Sequence, residues 1–267
     1  MTPGRLEPLV SAAQQRVAAL QPSRSELERR ARAAPPTRPF GARCADGTIG
    51  VIAEVKRRSP SAGAIHETLD PVAHARAYAD GGAVGISVLT EPAFFGGSLD
   101  DLRRVAAAVP LPVVRKDFLL EELQLLEARA AGAAAVLVIV RILEPHRVRS
   151  LLRAARDLGL AALVEVHSIT ELETAVAAGA TLIGVNSRDL DSFAIDRDAA
   201  DRLIAQVPPD LVTVAESAIA ERGDVERVAA AGADHVLVGT AVARLADPQH
   251  AVRGLAGVPR QPRGSGR

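Results

Sequence analysis

From about residue 49 onward the chain alternates two textures. Short, mostly apolar runs rich in β-branched residues are separated by longer stretches whose apolar positions recur every three or four residues. The short runs predict strands at Ile49–Val55, Val84–Leu89, Pro112–Lys116, Ala135–Val140, Ala161–Val166, Leu182–Asn186, Leu211–Glu216 and His235–Gly239. Near-continuous apolar character is that of parallel strands covered on both faces. The longer stretches predict helices over Asp70–Asp80, Leu99–Ala108, Glu121–Ala131, Pro145–Leu158, Thr170–Ala178, Asp198–Gln206 and Ala220–Ala231. Asp70, Ser98 and Ser168 stand where helix N-caps belong, the last with Glu171 three residues on as a capping box.

One phrase recurs: AAGAAAVLV, AAGATLIGV, AAGADHVLV. In each, a helix ends at Gly132, Gly179 or Gly232 and a strand begins two or three residues later, because glycine tolerates the left-handed position that closes a helix. Such a weak internal repeat is the trace of stacked βα units. Eight units, with polar residues at strand C-terminal ends all around the chain, favour a closed (β/α)8 TIM barrel over 49–256. An open doubly wound sheet would gather those residues at one switch point. Before the barrel, residues 1–48 predict an N-terminal helical extension packed on it, with helices at Leu6–Leu20 and Ser23–Ala33, Ser25 and Glu28 spaced as a capping box, and a helix-breaking APPTRPF. That extension either covers the barrel or acts as a flap on the pocket. Residues 257–267 are expected to be a disordered tail.

Composition narrows the function. There are 32 basic and 32 acidic residues, so no basic surplus marks a nucleic-acid partner, and aromatics at 2% supply no stacking platform. No apolar run reaches the roughly 18–20 residues of a membrane span. Cys44 is the only cysteine, which excludes an intrachain disulfide and a cysteine zinc site and fits a reducing cytoplasm, the expected location. The expected state is a monomer. Among the 32 Lys and Arg residues only Lys56 and Lys116 are lysine. Arginine does not readily give up its proton, whereas a partly desolvated lysine does. Both lysines are therefore candidates for proton transfer, against the plain alternative of two surviving surface lysines.

Alternate strand residues point into a barrel, and barrel sites form at strand C-terminal ends. IAEVK places Glu54 and Lys56 on the same inward face of the first strand; VVRK puts Lys116 at the end of the third. LVEVH, IGVN and VAES add Glu165, Asn186 and Glu216. Mutually paired charges are tolerable inside a protein where isolated ones are not, so these residues are either an ion-pair network closing the barrel or acid–base machinery. A neighbouring cation is expected to lower the pKa of one lysine and of the carboxylates, with burial raising the carboxylates again. Gly239 and Thr240, leading into a short helix at Ala241–Leu245, and Ser217–Ala218 after the seventh strand suit a phosphate cradle. Around Pro60, the hydroxyls and amides of Ser59 and Ser61 and the amide of Gly63 offer further donors. His167 and His235 lack second ligands at metal spacing and read as surface or core histidines; no metal site is expected. Phe94–Gly97 is a loop aromatic pair over the mouth, and Arg57 and Arg58 are expected to be solvated.

The strings IAEVKRRSPSAG (52–63), LTEPAFFGGSLDDL (89–102), PVVRKDFLL (112–120), EARAAGAAAVLVIVRIL (127–143), LVEVHS (163–168), IGVNSRDL (183–190), VAESAI (214–219) and VLVGTA follow one another in order. Together they resemble the indole-3-glycerol phosphate synthase family over about residues 50–245. The resemblance implies conversion of a phosphorylated small molecule, 1-(2-carboxyphenylamino)-1-deoxyribulose 5-phosphate, to indole-3-glycerol phosphate with loss of carbon dioxide and water, without a cofactor. It implies Lys116 as the acid on the ribulose carbonyl and Glu165, Lys56 and Glu54 for the further proton transfers. Asn186 and Glu216 would orient the substrate. Ser59, Ser217, Ala218, Gly239 and Thr240 would hold its phosphate, with Arg188 and Leu237 as further substrate contacts and Phe95 lining the anthranilate pocket.

Three positions depart from the family pattern: Ala218 where glycine is usual, Thr240 where serine or glutamate is common, and Ala62 where lysine is frequent. The stretch before the first strand is also short. If position 218 requires positive φ, alanine costs about 1 kcal/mol or more there. Two other readings compete. A phosphoribosylanthranilate isomerase-like sister barrel would carry cysteine on the first strand, where this chain has Glu54 and Lys56. A degenerate phosphate-binding barrel would have no reason to keep those residues with Lys116 and Glu165.

Overall fold

A computed structural model describes residues 6–263. Its elements are α1 (Leu6–Leu20), α2 (Arg24–Ala33), β1 (Gly50–Val55), β2 (Arg58–Ser59), β3 (Gly63–Ala64), α3 (Pro71–Asp80), β4 (Gly85–Leu89), α4 (Pro92–Phe95), α5 (Leu99–Ala108), β5 (Val113–Lys116), α6 (Glu122–Ala130), β6 (Ala135–Ile139), α7 (Pro145–Asp157), β7 (Ala161–Val166), α8 (Ile169–Ala178), β8 (Leu182–Asn186), α9 (Arg197–Gln206), β9 (Val212–Glu216), α10 (Arg222–Ala231), β10 (His235–Val238), α11 (Thr240–Arg244) and α12 (Pro248–Leu255). Eight strands pair in parallel around a closed barrel, in the order β1, β10, β9, β8, β7, β6, β5, β4 and back to β1. The remaining two, β2 and β3, form a small antiparallel hairpin just after β1. The barrel is thus the (β/α)8 architecture expected from the alternation of elements.

The two-residue period of the strands builds two cores. Val51, Ala53 and Val55 of β1, Val164 and Val166 of β7, and Val236 and Val238 of β10 join the apolar layer between sheet and helices. The intervening residues Ile52, Leu163 and Leu237 point into the barrel with Val114, Leu137 and Val214. Burying each such side chain is worth about 1.5–3 kcal/mol. Continuing the same inward rows toward the strand C-terminal ends gives Glu54, Lys116, Glu165, Asn186 and Glu216. The apolar floor and the charged ceiling are therefore successive layers of one period.

Helix starts follow their caps. Asp70 accepts from the Ala73 amide, Ser98 from Asp101, and Ser168 from Glu171. The box expected at Ser168 closes on one side only, because the Glu171 carboxylate turns to His167 and Arg141 instead. No capping box forms at Ser25 and Glu28: α2 begins one residue earlier, at Arg24, behind the 3-10 turn Gln21–Ser23. Helix α12 and the hairpin were not expected from the pattern.

The extension runs down the barrel wall. α2 packs on α6, while Leu9 and Ala13 of α1 join the inner apolar cluster that includes Phe118. At the barrel floor Phe40 packs against Gly85, and Arg43 reaches Asp234 at 2.8 Å. The tail departs from the disorder expected of it. The Ile49 amide donates to Val258 O (2.8 Å) and the Arg260 amide to Gly47 O (2.9 Å), while Arg260 and Arg263 each approach the buried Asp234 at 3.2 Å. Residues 264–267 of that tail lie outside the described residues.

Candidate active site

A cavity of about 560 Å³ opens at the C-terminal ends of the strands. Glu54, Lys56, Lys116, Glu165, Asn186 and Glu216 line it, together with Ser59, Phe95, Arg188, Ser217, Ala218, Leu237, Gly239 and Thr240, whereas Gly63 and Phe94 do not. No described residue of the N-terminal extension does. The nearest link is one step back, where Arg16 of α1 makes a two-pronged ion pair (2.8 Å each) with Asp117, the residue after Lys116.

At the centre, the Lys116 ammonium stands 3.1 Å from Glu165 Oε2 and 3.1 Å from Glu216 Oε2. Asn186 Nδ2 donates to the other oxygen of Glu165 at 3.2 Å. Across the barrel, Lys56 Nζ lies 3.3 Å from Glu54 Oε1, and the Ser87 hydroxyl donates to Glu54 Oε2 at 3.1 Å. Two glycines make room for these carboxylates. A Cβ on Gly184 would collide with Glu216 Oε1, and one on Gly239 with Glu54 Oε1. Gly239 thus has a packing duty beyond the phosphate role read from sequence.

The electrostatics separate the groups. Burial raises Glu165, but Lys116, His167 and the hydrogen bonds from Asn186 and Lys116 outweigh it and hold this carboxyl down at about 2. Burial also raises Glu216, and the charges of Glu165 and Glu54 add to it against the pull of Lys116, leaving it at about 7. For Lys116 burial acts downward, yet Glu165, Glu216 and Glu54 together drive its pKa up. The expectation that a neighbouring cation lowers a lysine fails here because the neighbours of Lys116 are carboxylates. The centre holds a protonated lysine, an ionised carboxylate and a third group poised near neutrality.

The rim is built by loops. Glu91 is fully enclosed and its carboxylate accepts from the Ala93, Phe94 and Phe95 amides, so Phe94 and Phe95 stand on the one-turn helix α4 rather than in an open loop. Phe95 lies 6.4 Å, centroid to centroid, from Phe118. Arg57 is partly buried rather than freely solvated: it clamps Asp101 at 2.5 Å and touches Gly96 O, tying the loop after β1 to the end of α4. Arg58 is half exposed, with Glu67 at 3.9 Å. Ser59 uses its hydroxyl to accept from the Ala62 amide inside the hairpin turn. After β9, Ser217 (φ 65°) and Ala218 (φ 53°) both take the left-handed conformation, each at a cost of about 1–2 kcal/mol. Gly239 precedes the short helix α11, which opens at Thr240.

Sequence reading passed over several cavity residues. Phe118, Leu137 and Ile139 form its inner wall, and Phe193, in a left-handed turn after β8, adds to its rim. Phe118 and Phe193 lie in loops, where no strand period shows which way a side chain turns, and Leu137 and Ile139 look like any other aliphatic strand residues. The two histidines separate cleanly. His235 is a core residue of the barrel floor, facing Gly50 across β1 and β10, with a pKa pushed down by burial. His167, also enclosed, faces Glu165 and Glu171. No cluster of three or more His, Cys, Asp or Glu side chains suited to a metal occurs among the described residues.

The model of the family described as indole-3-glycerol phosphate synthase matches residues 6–255. The chain belongs to the indole-3-glycerol phosphate synthase family. It is 55% identical over 208 residues to the indole-3-glycerol phosphate synthase of a Nocardioides species, covering 78% of this chain and 80% of that one. It is 49% identical over 233 residues to that of Mycobacterium avium, covering 87% and 86%. The indole-3-glycerol phosphate synthase 2 of Streptomyces coelicolor is 46% identical over 256 residues, 95% of this chain and 99% of its own. The barrel itself is shared more widely. 3-Hexulose-6-phosphate synthase from Salmonella typhimurium superimposes with a TM-score of 0.63 at 19% identity, over 78% of this chain and 96% of that one.

Proposed function

We propose that this cavity performs the indole-3-glycerol phosphate synthase reaction, a carboxy-lyase step of tryptophan biosynthesis. The substrate is 1-(2-carboxyphenylamino)-1-deoxyribulose 5-phosphate, which undergoes ring closure, decarboxylation and dehydration. Family membership and the named relatives support the reaction; the charged centre supports the roles. Lys116, kept protonated by three carboxylates, is the acid on the ribulose carbonyl. Glu165, with Lys56 and Glu54 opposite, carries the later proton transfers. Asn186 holds Glu165 in register, and with Glu216 orients the substrate hydroxyls.

The phosphate binds between the loops after β9 and β10, against Ser217, Ala218, Gly239 and Thr240, with Ser59 closing from the hairpin. Ser217 and Ala218, both with left-handed φ, line the cavity beside Gly239 and Thr240, which brings hydroxyls and backbone N–H groups of two loops to one end of it. Arg188 and Leu237 contact the body of the substrate, and Phe95 flanks its aromatic ring.

The observation that carries this reading is the Lys116 ammonium suspended between Glu165 and Glu216 inside the cavity. Indole fluorescence appearing on addition of the carboxyphenylamino substrate tests it. Lys116→Ala is expected to abolish that signal while circular dichroism stays unchanged. Persistent turnover in this variant would overturn the assignment of the acid.

A further inference from the structure

His167 is a buried titratable group beside the centre that the proposed reaction leaves unused, and unlike the buried Glu91 and Asp117, whose carboxylates are taken up by backbone amides and arginines, it has a ring nitrogen with no hydrogen-bond partner. Its side chain is 4% exposed and does not line the cavity. Nδ1 lies 3.2 Å from Glu171 Oε2, and Nε2 lies 3.5 Å from Glu165 Oε1 without a hydrogen-bond partner of its own. The ring therefore bridges two carboxylates. Ionised carboxylates only accept hydrogen bonds, and a neutral imidazole has a single N–H to give. One end of the bridge is a proton short unless the ring takes a second proton or one carboxylate takes one.

The surroundings decide which end. Glu171, on α8, accepts from the His167 backbone amide at 2.7 Å and from Arg141 Nε at 2.9 Å. Arg141, on the turn after β6, is itself paired with Asp189 beyond β8. Burial raises Glu171, but the bonds from His167 and Arg141 bring it below its ordinary value, so it stays ionised and keeps the ring proton on Nδ1. Nε2 is then a free acceptor aimed at Glu165. Lys116 of β5, with Glu216 of β9 behind it, meets the other oxygen, Glu165 Oε2, while Asn186 of β8 donates to Oε1 itself; all of these are donors or already paired.

We propose that Glu171 and His167 form a dyad that takes the proton from Glu165 during turnover, His167 acting as a positioning residue behind the carboxylate. This rests on the proposed role of Glu165. When Glu165 accepts a proton, its new O–H faces Nε2. The O–H bond breaks, an N–H bond forms, and the resulting imidazolium lies between two carboxylates, Glu165 and Glu171. Glu165 returns to its ionised form inside a closed site, and Nε2 hands the same proton back to Glu165 when a later step of the reaction needs a donor, so the ring ends each turnover neutral. Glu171 fixes the tautomer and stabilises the charged ring, as the aspartate of a hydrolase triad does.

The test uses the full chain with three variants, Glu165→Gln, His167→Ala and Glu171→Gln, each checked by circular dichroism. His167→Ala is expected to lower kcat about 10- to 100-fold with KM within twofold, general acid–base groups being worth about 100-fold or more when they act directly. Added imidazole should restore kcat saturably, and more strongly as pH rises and the additive becomes neutral. Glu171→Gln, close in shape, should lower kcat in the same direction and reads the dyad even if His167→Ala fails to fold. Full activity in both variants, or a kcat loss in His167→Ala that imidazole leaves untouched at every pH, overturns the proposal. If Glu165→Gln is inactive while His167→Ala is fully active, only this inference falls. If Glu165→Gln keeps turnover, the underlying reading of the site falls with it.

Discussion

The Lys116 ammonium lies 3.1 Å from Glu216, a carboxyl that burial and two neighbouring carboxylates nevertheless hold near pH 7. Its folded pKa therefore exceeds the ordinary 4.5. Between those values the folded protein binds more protons at this site than the unfolded chain. The contribution of Glu216 to stability is thus fully present below about pH 4.5 and is lost as pH rises through 7. Glu216→Gln removes this dependence. Urea unfolding at pH 5, 6, 7 and 8 should show the variant gaining on the wild type across that interval, by at most about 1.4 kcal/mol per pH unit, and then holding level. A constant difference from pH 5 to 8 would show that Glu216 does not titrate there.

Two carboxylates of the centre fit only because glycine faces them. Gly184→Ala puts a methyl group where Glu216 Oε1 lies, and the colliding group is the fixed end of an ion pair, not a free side-chain tip. We expect kcat to fall at least tenfold, with Lys116 losing one of its two closest partners. Gly254→Ala is the control. It sits in α12 with nothing within 4 Å of the added atom, and should leave kcat unchanged and raise stability by about 0.5–1 kcal/mol. Equal kinetics in the two variants would show that the space behind Glu216 is not limiting.

The barrel and the central site were legible in sequence because one period wrote both. Inward positions two apart, such as Ile52 and Glu54 or Leu163 and Glu165, reveal their layer once the strand is recognised, and polar residues at strand ends stand out against aliphatic neighbours. What stayed hidden depends on contacts between distant segments. Nothing local to Arg57 tells that Asp101 will meet it, so a side chain next to Arg58 in a polar loop read as solvated. The same holds for the tail, whose prolines and glycines suggest disorder but whose arginines find Asp234. His167 was set aside because it lacks a metal partner, although its spacing to Glu171, four residues on, is that of one helical turn.

At Ala218 the left-handed φ of 53° turns a departure from the family pattern into a measurable cost. Glycine adopts this conformation freely, so Ala218→Gly removes roughly 1–2 kcal/mol of strain and adds back part of it as chain entropy in the unfolded state. The expected net gain is about 0.5–1 kcal/mol by urea titration. Because the same loop is proposed to hold the phosphate, KM should fall as well. An unchanged or higher KM would detach the strain at Ala218 from substrate binding.

Among the described residues, the N-terminal extension reaches the charged groups around the site through Arg16. Arg16 grips Asp117 with two bonds of 2.8 Å, and Asp117 is further held by Arg115 and the Thr90 hydroxyl. Burial raises the Asp117 carboxyl, but Arg115 and Arg16 bring it below its ordinary 3.8. Stability from this group is therefore present above about pH 3.8 and lost as pH falls through its lower folded value. Arg16→Met keeps the apolar stem of the side chain and deletes the charge. At pH 7 the variant should be less stable by about 1–3 kcal/mol, the range for a charge-assisted hydrogen bond. The gap should narrow as pH is taken below 4, where Asp117 begins to protonate in both proteins. Since Lys116 is the preceding residue, kcat should also drop a few-fold while KM holds. A variant as stable as wild type at pH 7 would show that α1 is held by its apolar contacts at Leu9 and Ala13 alone.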